Sequence, residues 1–100
     1  TAMHHKIPLL TIMHNNRAYH QEVMHLQRLA SWRGRGADRQ WIGTVITRPD
    51  IDFAMLAKSM GMSSFGPISD PDELGPVLKR AVAMVKAGES VLIDAITQPR

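Results

Sequence analysis

The chain contains no cysteine. That excludes a disulfide framework and thiol chemistry, and it fits a reducing compartment. No apolar run approaches the ~20 residues of a helical membrane span, so no membrane partner is expected. The opening TAMHHKIPLL has neither the long apolar core nor the small-residue cleavage site of a secretory signal. Internal repeats and low-complexity tracts are also missing. A strong excess of one charge is missing too: 12 Lys and Arg face 9 Asp and Glu, a net charge of +3 and a mild excess rather than a basic tail.

What is present is an ordinary globular composition, 44% hydrophobic over 100 residues. Such a chain makes at most one small domain and buries roughly 60–70% of its unfolded surface. Its opening residues, Thr1 to Lys6, read as the last turn of a helix already under way. His4, His5 and Lys6 lie at its carboxyl end, where the helix dipole favours cations.

The most informative stretch is Ile7 to Tyr19, IPLLTIMHNNRAY. Its apolar run has the length of a strand buried on both faces of a parallel sheet. Pro8 suits the first position of such a strand. The chain then turns polar at Asn15 and Asn16. Ligands of open parallel sheets bind just beyond the carboxyl ends of the strands, so the two asparagines stand where a site is expected. Amide oxygens at a strand end serve a hard cation such as Mg²⁺, which takes oxygen ligands and is often shared with substrate phosphates.

From Tyr19 to about Trp32, Val23, Leu26 and Ala30 recur at helical spacing with Leu29 beside them. Ser31 to Gln40 is loop-like, with two glycines and three arginines. Trp41 to Thr47 reads as a short extended segment stopped by Pro49. Asp50 is the expected N-cap of a short helix through Ile51, Phe53, Ala54, Leu56, Ala57 and Met60, closed by Gly61. Met62 to Ser69 is a weak strand, broken by Gly66-Pro67. Asp70-Pro71-Asp72-Glu73 is a strong helix start. It is followed by a stripe of Leu74, Val77, Leu78, Ala81, Val82 and Val85, and by closure at Lys86 and Gly88. Ser90 to Ile96 is a second buried strand with Asp94 as its only charge, and 97–100 is a tail. The order β-α-loop-α-β-α-β predicts an α/β fold: a parallel sheet with flanking helices and right-handed crossovers.

These segments together carry a likeness. The strand ending in Asn15-Asn16 and followed by Arg17-Ala18-Tyr19, the helix Pro49-Asp50-Ile51-Asp52-Phe53-Ala54 with Leu56 and Ala57, Gly61, Ile68 to Leu74, and Val91-Leu92-Ile93-Asp94 occur in one order. In this the chain resembles the thiamin-diphosphate-dependent enzymes of the acetolactate synthase, benzoylformate decarboxylase and pyruvate decarboxylase group. The resemblance implies that residues 1–100 are the C-terminal portion of the diphosphate-binding domain. It implies Mg²⁺ bound by the Asn16 side-chain oxygen and the Ala18 backbone carbonyl, and Asn15 holding the turn near the diphosphate. Tyr19 to Met24 would lie beside the cofactor. Glu22 stands at the offset where the decarboxylase branch has an acid that takes part in proton transfer and the synthases commonly have an apolar residue. A carboxylate beside a cofactor can serve as an acid–base; the alternative is a solvated helix residue.

The chain departs from the family pattern in one respect. It has no Gly-Asp-Gly triplet, which opens the metal motif in the family. The glutamate that activates the cofactor lies in another domain there. The resemblance therefore implies a fragment of a longer polypeptide or one subunit of a divided enzyme, inactive alone. It also implies a cytoplasmic homodimer or homotetramer acting on a small carbonyl or 2-keto acid substrate.

Other features have two readings. His20 and His25 are five apart, which is wrong for the i,i+4 pair of a zinc helix; His14, His20 or His25 beside the cofactor is the other possibility. Arg33, Arg35 and Arg39, with Trp32 and Trp41, make either a nucleic-acid patch, a contact for an anionic substrate, or a solvated loop. The seven methionines read as core and interface filler. A non-catalytic basic α/β module that binds RNA or a protein partner stays open as the alternative to an enzyme.

Overall fold

The computed structural model describes residues 1–98. In chain order they form β1 (Leu10–Asn15), α1 (His20–Trp32), α2 (Phe53–Ser59), β2 (Ser63–Ile68), α3 (Pro71–Lys86) and β3 (Val91–Ile96). The protein is therefore α/β, with a parallel sheet and flanking helices. The tail reading of 97–100 falls in part on Pro99 and Arg100, which lie outside the described residues.

The described residues divide into two compact units, one of Thr1–Asn15 with Asp52–Thr97 and one built on Asn16–Ile51. The first holds a three-stranded sheet in the order β1-β3-β2, with β3 parallel to both neighbours. Because the strands are parallel, their carboxyl ends lie on one side. β3 is central and apolar: Val91 and Ile93 are fully buried, and they cluster with Ile68 and Ala81. Leu74, Val77, Leu78 and Val85 of α3 pack on this cluster, as their spacing predicts, while Val82 is exposed. The α3 start is as expected: Asp70 caps it by accepting from the Asp72 amide at 2.9 Å, with Pro71 in the first position.

Three expectations for this unit are corrected. β1 is not buried on both faces: Ile12 is exposed at 52%, as is Leu9 just before the strand at 44%. Among the described residues β1 is an edge strand, hydrogen-bonded to β3 alone. The cap of α2 is Asp52, whose carboxylate accepts from the Met55 amide at 2.7 Å, not Asp50. The helix starts where it does because the Phe53 amide donates to the buried Asp94 Oδ2 at 3.1 Å. Only part of the α2 stripe is covered: Ala54 and Ala57 are buried, whereas Leu56 and Met60 are exposed. β2 is a strand despite Gly66-Pro67, with an irregular register between Phe65 and Ile68.

The second unit contains α1 and the residues leading into and out of it. Val23 is buried, Leu29 and Ala30 are half-buried, and Leu26 is exposed. The expected extended segment from Trp41 to Thr47 is corrected. The chain turns through residues 38–44 and then makes a single antiparallel bridge between Val45 and Ala18. Gly43, at φ +78, adopts a left-handed conformation that ends any extended run there.

Candidate functional site

Asn15 is the last residue of β1 and is buried. Its Nδ2 donates to Asp94 Oδ1 at 3.0 Å, and its carbonyl accepts from the Thr97 amide at 3.0 Å. The carboxyl end of β1 is thus tied to β3 by side chain and main chain. Asp94 is fully buried, and its second oxygen takes the Phe53 amide.

The next residues belong to the second unit. Asn16 Oδ1 accepts from the Ala18 amide at 3.2 Å, closing an Asx turn around Arg17, which sits at φ +55. The Arg17 carbonyl accepts from Ile46 at 2.8 Å, and the Tyr19 amide donates to Thr44 at 2.7 Å. Thr44 is buried, and its hydroxyl donates to the Gln40 carbonyl. Arg17 also pairs with Asp50 at 3.2 Å, which accounts for the aspartate expected to cap α2. Tyr19 stands in the N-cap position of α1 with an exposed ring. Glu22 is exposed in the first turn of the same helix, where the helix dipole favours an acid.

Mg²⁺ is the cation that these oxygens would have to hold. The ion takes hard oxygen ligands in octahedral array. An amide oxygen has two lone pairs, and Asn16 Oδ1 uses one of them on Ala18. Among the described residues the Ala18 carbonyl accepts no hydrogen bond. Both oxygens therefore keep a lone pair that a hard cation could take. Among the described residues no group of three or more His, Cys, Asp or Glu side chains is placed to hold a metal ion.

The remaining candidates separate. His14 lies 3.2 Å from Thr97 Oγ1 through its Nδ1. Both ring nitrogens of His20 are buried without a hydrogen-bond partner among the described residues. Trp32 is 79% exposed, and Arg33, Arg35 and Arg39 are exposed as well. Arg39 has only a 3.8 Å contact with Asp38 of the same loop. The residue that sequence reasoning left without a role is Asp94. The available signal was a lone carboxylate inside an apolar strand.

The fold is that of an α/β domain with a parallel sheet, in which the chain turns polar where β1 ends at Asn15. Residues 1–95 match the family described as thiamine pyrophosphate enzyme, C-terminal TPP binding domain. The chain belongs to that family. Neither a curated protein nor a solved structure gave a match to it. Among the described residues no helix is long and apolar enough to cross a membrane.

Proposed function

We propose that the chain is the C-terminal portion of the diphosphate-binding domain of a thiamin-diphosphate- and Mg²⁺-dependent enzyme. The enzyme makes or breaks a carbon–carbon bond next to a carbonyl, as an acetolactate synthase-like or 2-keto acid decarboxylase-like catalyst. The observation that carries this reading is the Asx turn after β1, in which Asn16 and Ala18, on either side of Arg17, each keep spare oxygen capacity. Family membership supplies the diphosphate-bearing cofactor that such a cation would anchor.

In this reading Asn16 Oδ1 and the Ala18 carbonyl hold Mg²⁺. Asn15 and Tyr19 border the diphosphate. Thiamin diphosphate, when bound, supplies the electron sink for the carbon chemistry. Glu22, on the first turn of α1, holds or delivers a proton at its carboxylate. The other metal ligand and the cofactor-activating acid come from residues outside this chain. The exposed Ile12 of β1 and Leu9 just before it support a larger assembly, in which the rest of the enzyme chain covers that edge and the enzyme is a cytoplasmic homodimer or homotetramer. The hundred-residue piece is inactive by itself.

The test is calorimetric titration of thiamin diphosphate into the complete enzyme, with Mg²⁺ and then with a chelator. Tight binding in Mg²⁺ that is lost with the chelator supports the reading. Equal binding in both overturns the metal assignment.

A further inference from the structure

We infer that Asp94 is a positioning residue for cofactor binding, which it serves by fixing the Asn15 amide at the end of β1. The inference rests on the reading of Asn15 to Ala18 as the cofactor and metal turn.

Asp94 is fully exposed to the cost of burial and has no cation to offset it. The residue is 0% accessible, on the central strand, and no ion pair reaches it among the described residues. A carboxylate in such a place is a poor device for stability, because an apolar residue of similar volume would fill the core as well. Each of its two oxygens nonetheless accepts one hydrogen bond. One accepts from Asn15 Nδ2 at 3.0 Å, and the other accepts from the Phe53 amide at 3.1 Å. One side chain therefore joins the end of β1 to the start of α2.

The consequence for Asn15 is specific. An asparagine amide has a donor end and an acceptor end, and either can face a neighbour that both gives and takes. A carboxylate oxygen only accepts, so the Nδ2 end must face Asp94. The Oδ1 end is left without a hydrogen bond among the described residues. Together with the Thr97 amide on the Asn15 carbonyl, this fixes both the backbone and the amide orientation of the residue just before Asn16. Partners that orient ligating groups change affinity when removed, even though they touch no ligand themselves.

The experiment compares the complete enzyme with three variants, by thermal unfolding and by titration with thiamin diphosphate and with Mg²⁺. Asp94→Asn keeps the size of the side chain but presents an amide where two acceptors are needed. It is expected to weaken cofactor binding by about tenfold or more, measured well below its unfolding temperature. Val91→Ala is the control: it lies on the same strand at the other end and is equally buried. It is expected to lower the unfolding temperature while leaving cofactor affinity within about twofold, since deleting buried methyls costs stability rather than alignment at a distant site. If Asp94→Asn does not fold, Asp94→Ser, which is smaller and keeps one acceptor, takes its place with the same expectation.

Unchanged cofactor affinity in the folded Asp94 variant overturns the inference. So does an equal loss in Val91→Ala, which would make the effect one of general stability. Asn16→Ala separates the two levels. If it leaves Mg²⁺-dependent binding intact, the underlying reading fails. If it abolishes binding while Asp94→Asn does not weaken it, only the positioning role fails.

Discussion

Asn16 Oδ1 accepts a hydrogen bond from the Ala18 amide at 3.2 Å, across a single left-handed residue, Arg17. The residues on both sides of Ala18 are pinned by main-chain bonds to Ile46 and Thr44, at 2.8 and 2.7 Å. Ala18 itself gives its amide to Asn16 and keeps its carbonyl free among the described residues. A short turn with fixed neighbours is the kind of element that holds a ligating group in place before the ligand arrives.

The start of α2 gives a prediction about capping. Asp52→Ala removes the acceptor of the Met55 amide and is expected to cost about 1 kcal/mol in denaturant unfolding. Asp50→Ala breaks only the ion pair with Arg17, whose side chains are 41% and 48% exposed. It is expected to cost less, about 0–1 kcal/mol, and the cost should shrink as salt is raised. A larger loss for Asp50 than for Asp52 would return the cap to Asp50.

Two glycines of opposite kind give a second prediction. Gly66 has φ +111, and a Cβ there would stand 2.5 Å from the Asp94 carbonyl oxygen. Gly66→Ala is therefore expected to destabilise by more than about 1 kcal/mol, because neither the backbone angle nor the neighbouring strand can give way. Gly75 in α3 has open space around its added Cβ. Helix preference favours Gly75→Ala by about 0.5–1 kcal/mol, whereas crowding of the new Cβ against the ring of Pro76 opposes it, so the change is expected to be smaller than that of Gly66→Ala. Unfolding midpoints of the two variants compared with the parent check that order.

Glu22 gives a kinetic prediction. If its carboxylate moves a proton, Glu22→Gln lowers kcat by about 10²–10⁴-fold and removes one limb of the pH–rate profile. Cofactor affinity should change little, since the residue is exposed on α1 rather than part of the Asn16 turn. Intact turnover with an unchanged pH profile would remove Glu22 from the chemistry.

Much of this was legible in the sequence, and what was missed has a physical cause. The Asp70 cap, Pro71, and the apolar spacing of α3 are local signals, and the helix forms accordingly. The turn at Asn16 is equally local, because its hydrogen bond spans two residues. The start of α2 was misplaced by two residues because Asp94, forty-one positions away from Phe53, claims the amide that opens the helix. The Asn15–Asp94 link spans seventy-nine positions and leaves no periodicity to read. β1 has the composition of a strand covered on both faces, yet composition does not say which chain segment does the covering. The expected strand from Trp41 lost to turn chemistry at Gly43.

The most direct measurement is the affinity of the complete enzyme for thiamin diphosphate as Mg²⁺ is titrated, compared between the parent and Asn16→Ala. Losing the Asn16 oxygen should weaken the apparent Mg²⁺ affinity by about tenfold or more, with cofactor binding falling in step and the fold intact by circular dichroism. Identical Mg²⁺ and cofactor isotherms in the two proteins would contradict the assignment of the turn after β1 as the cation site.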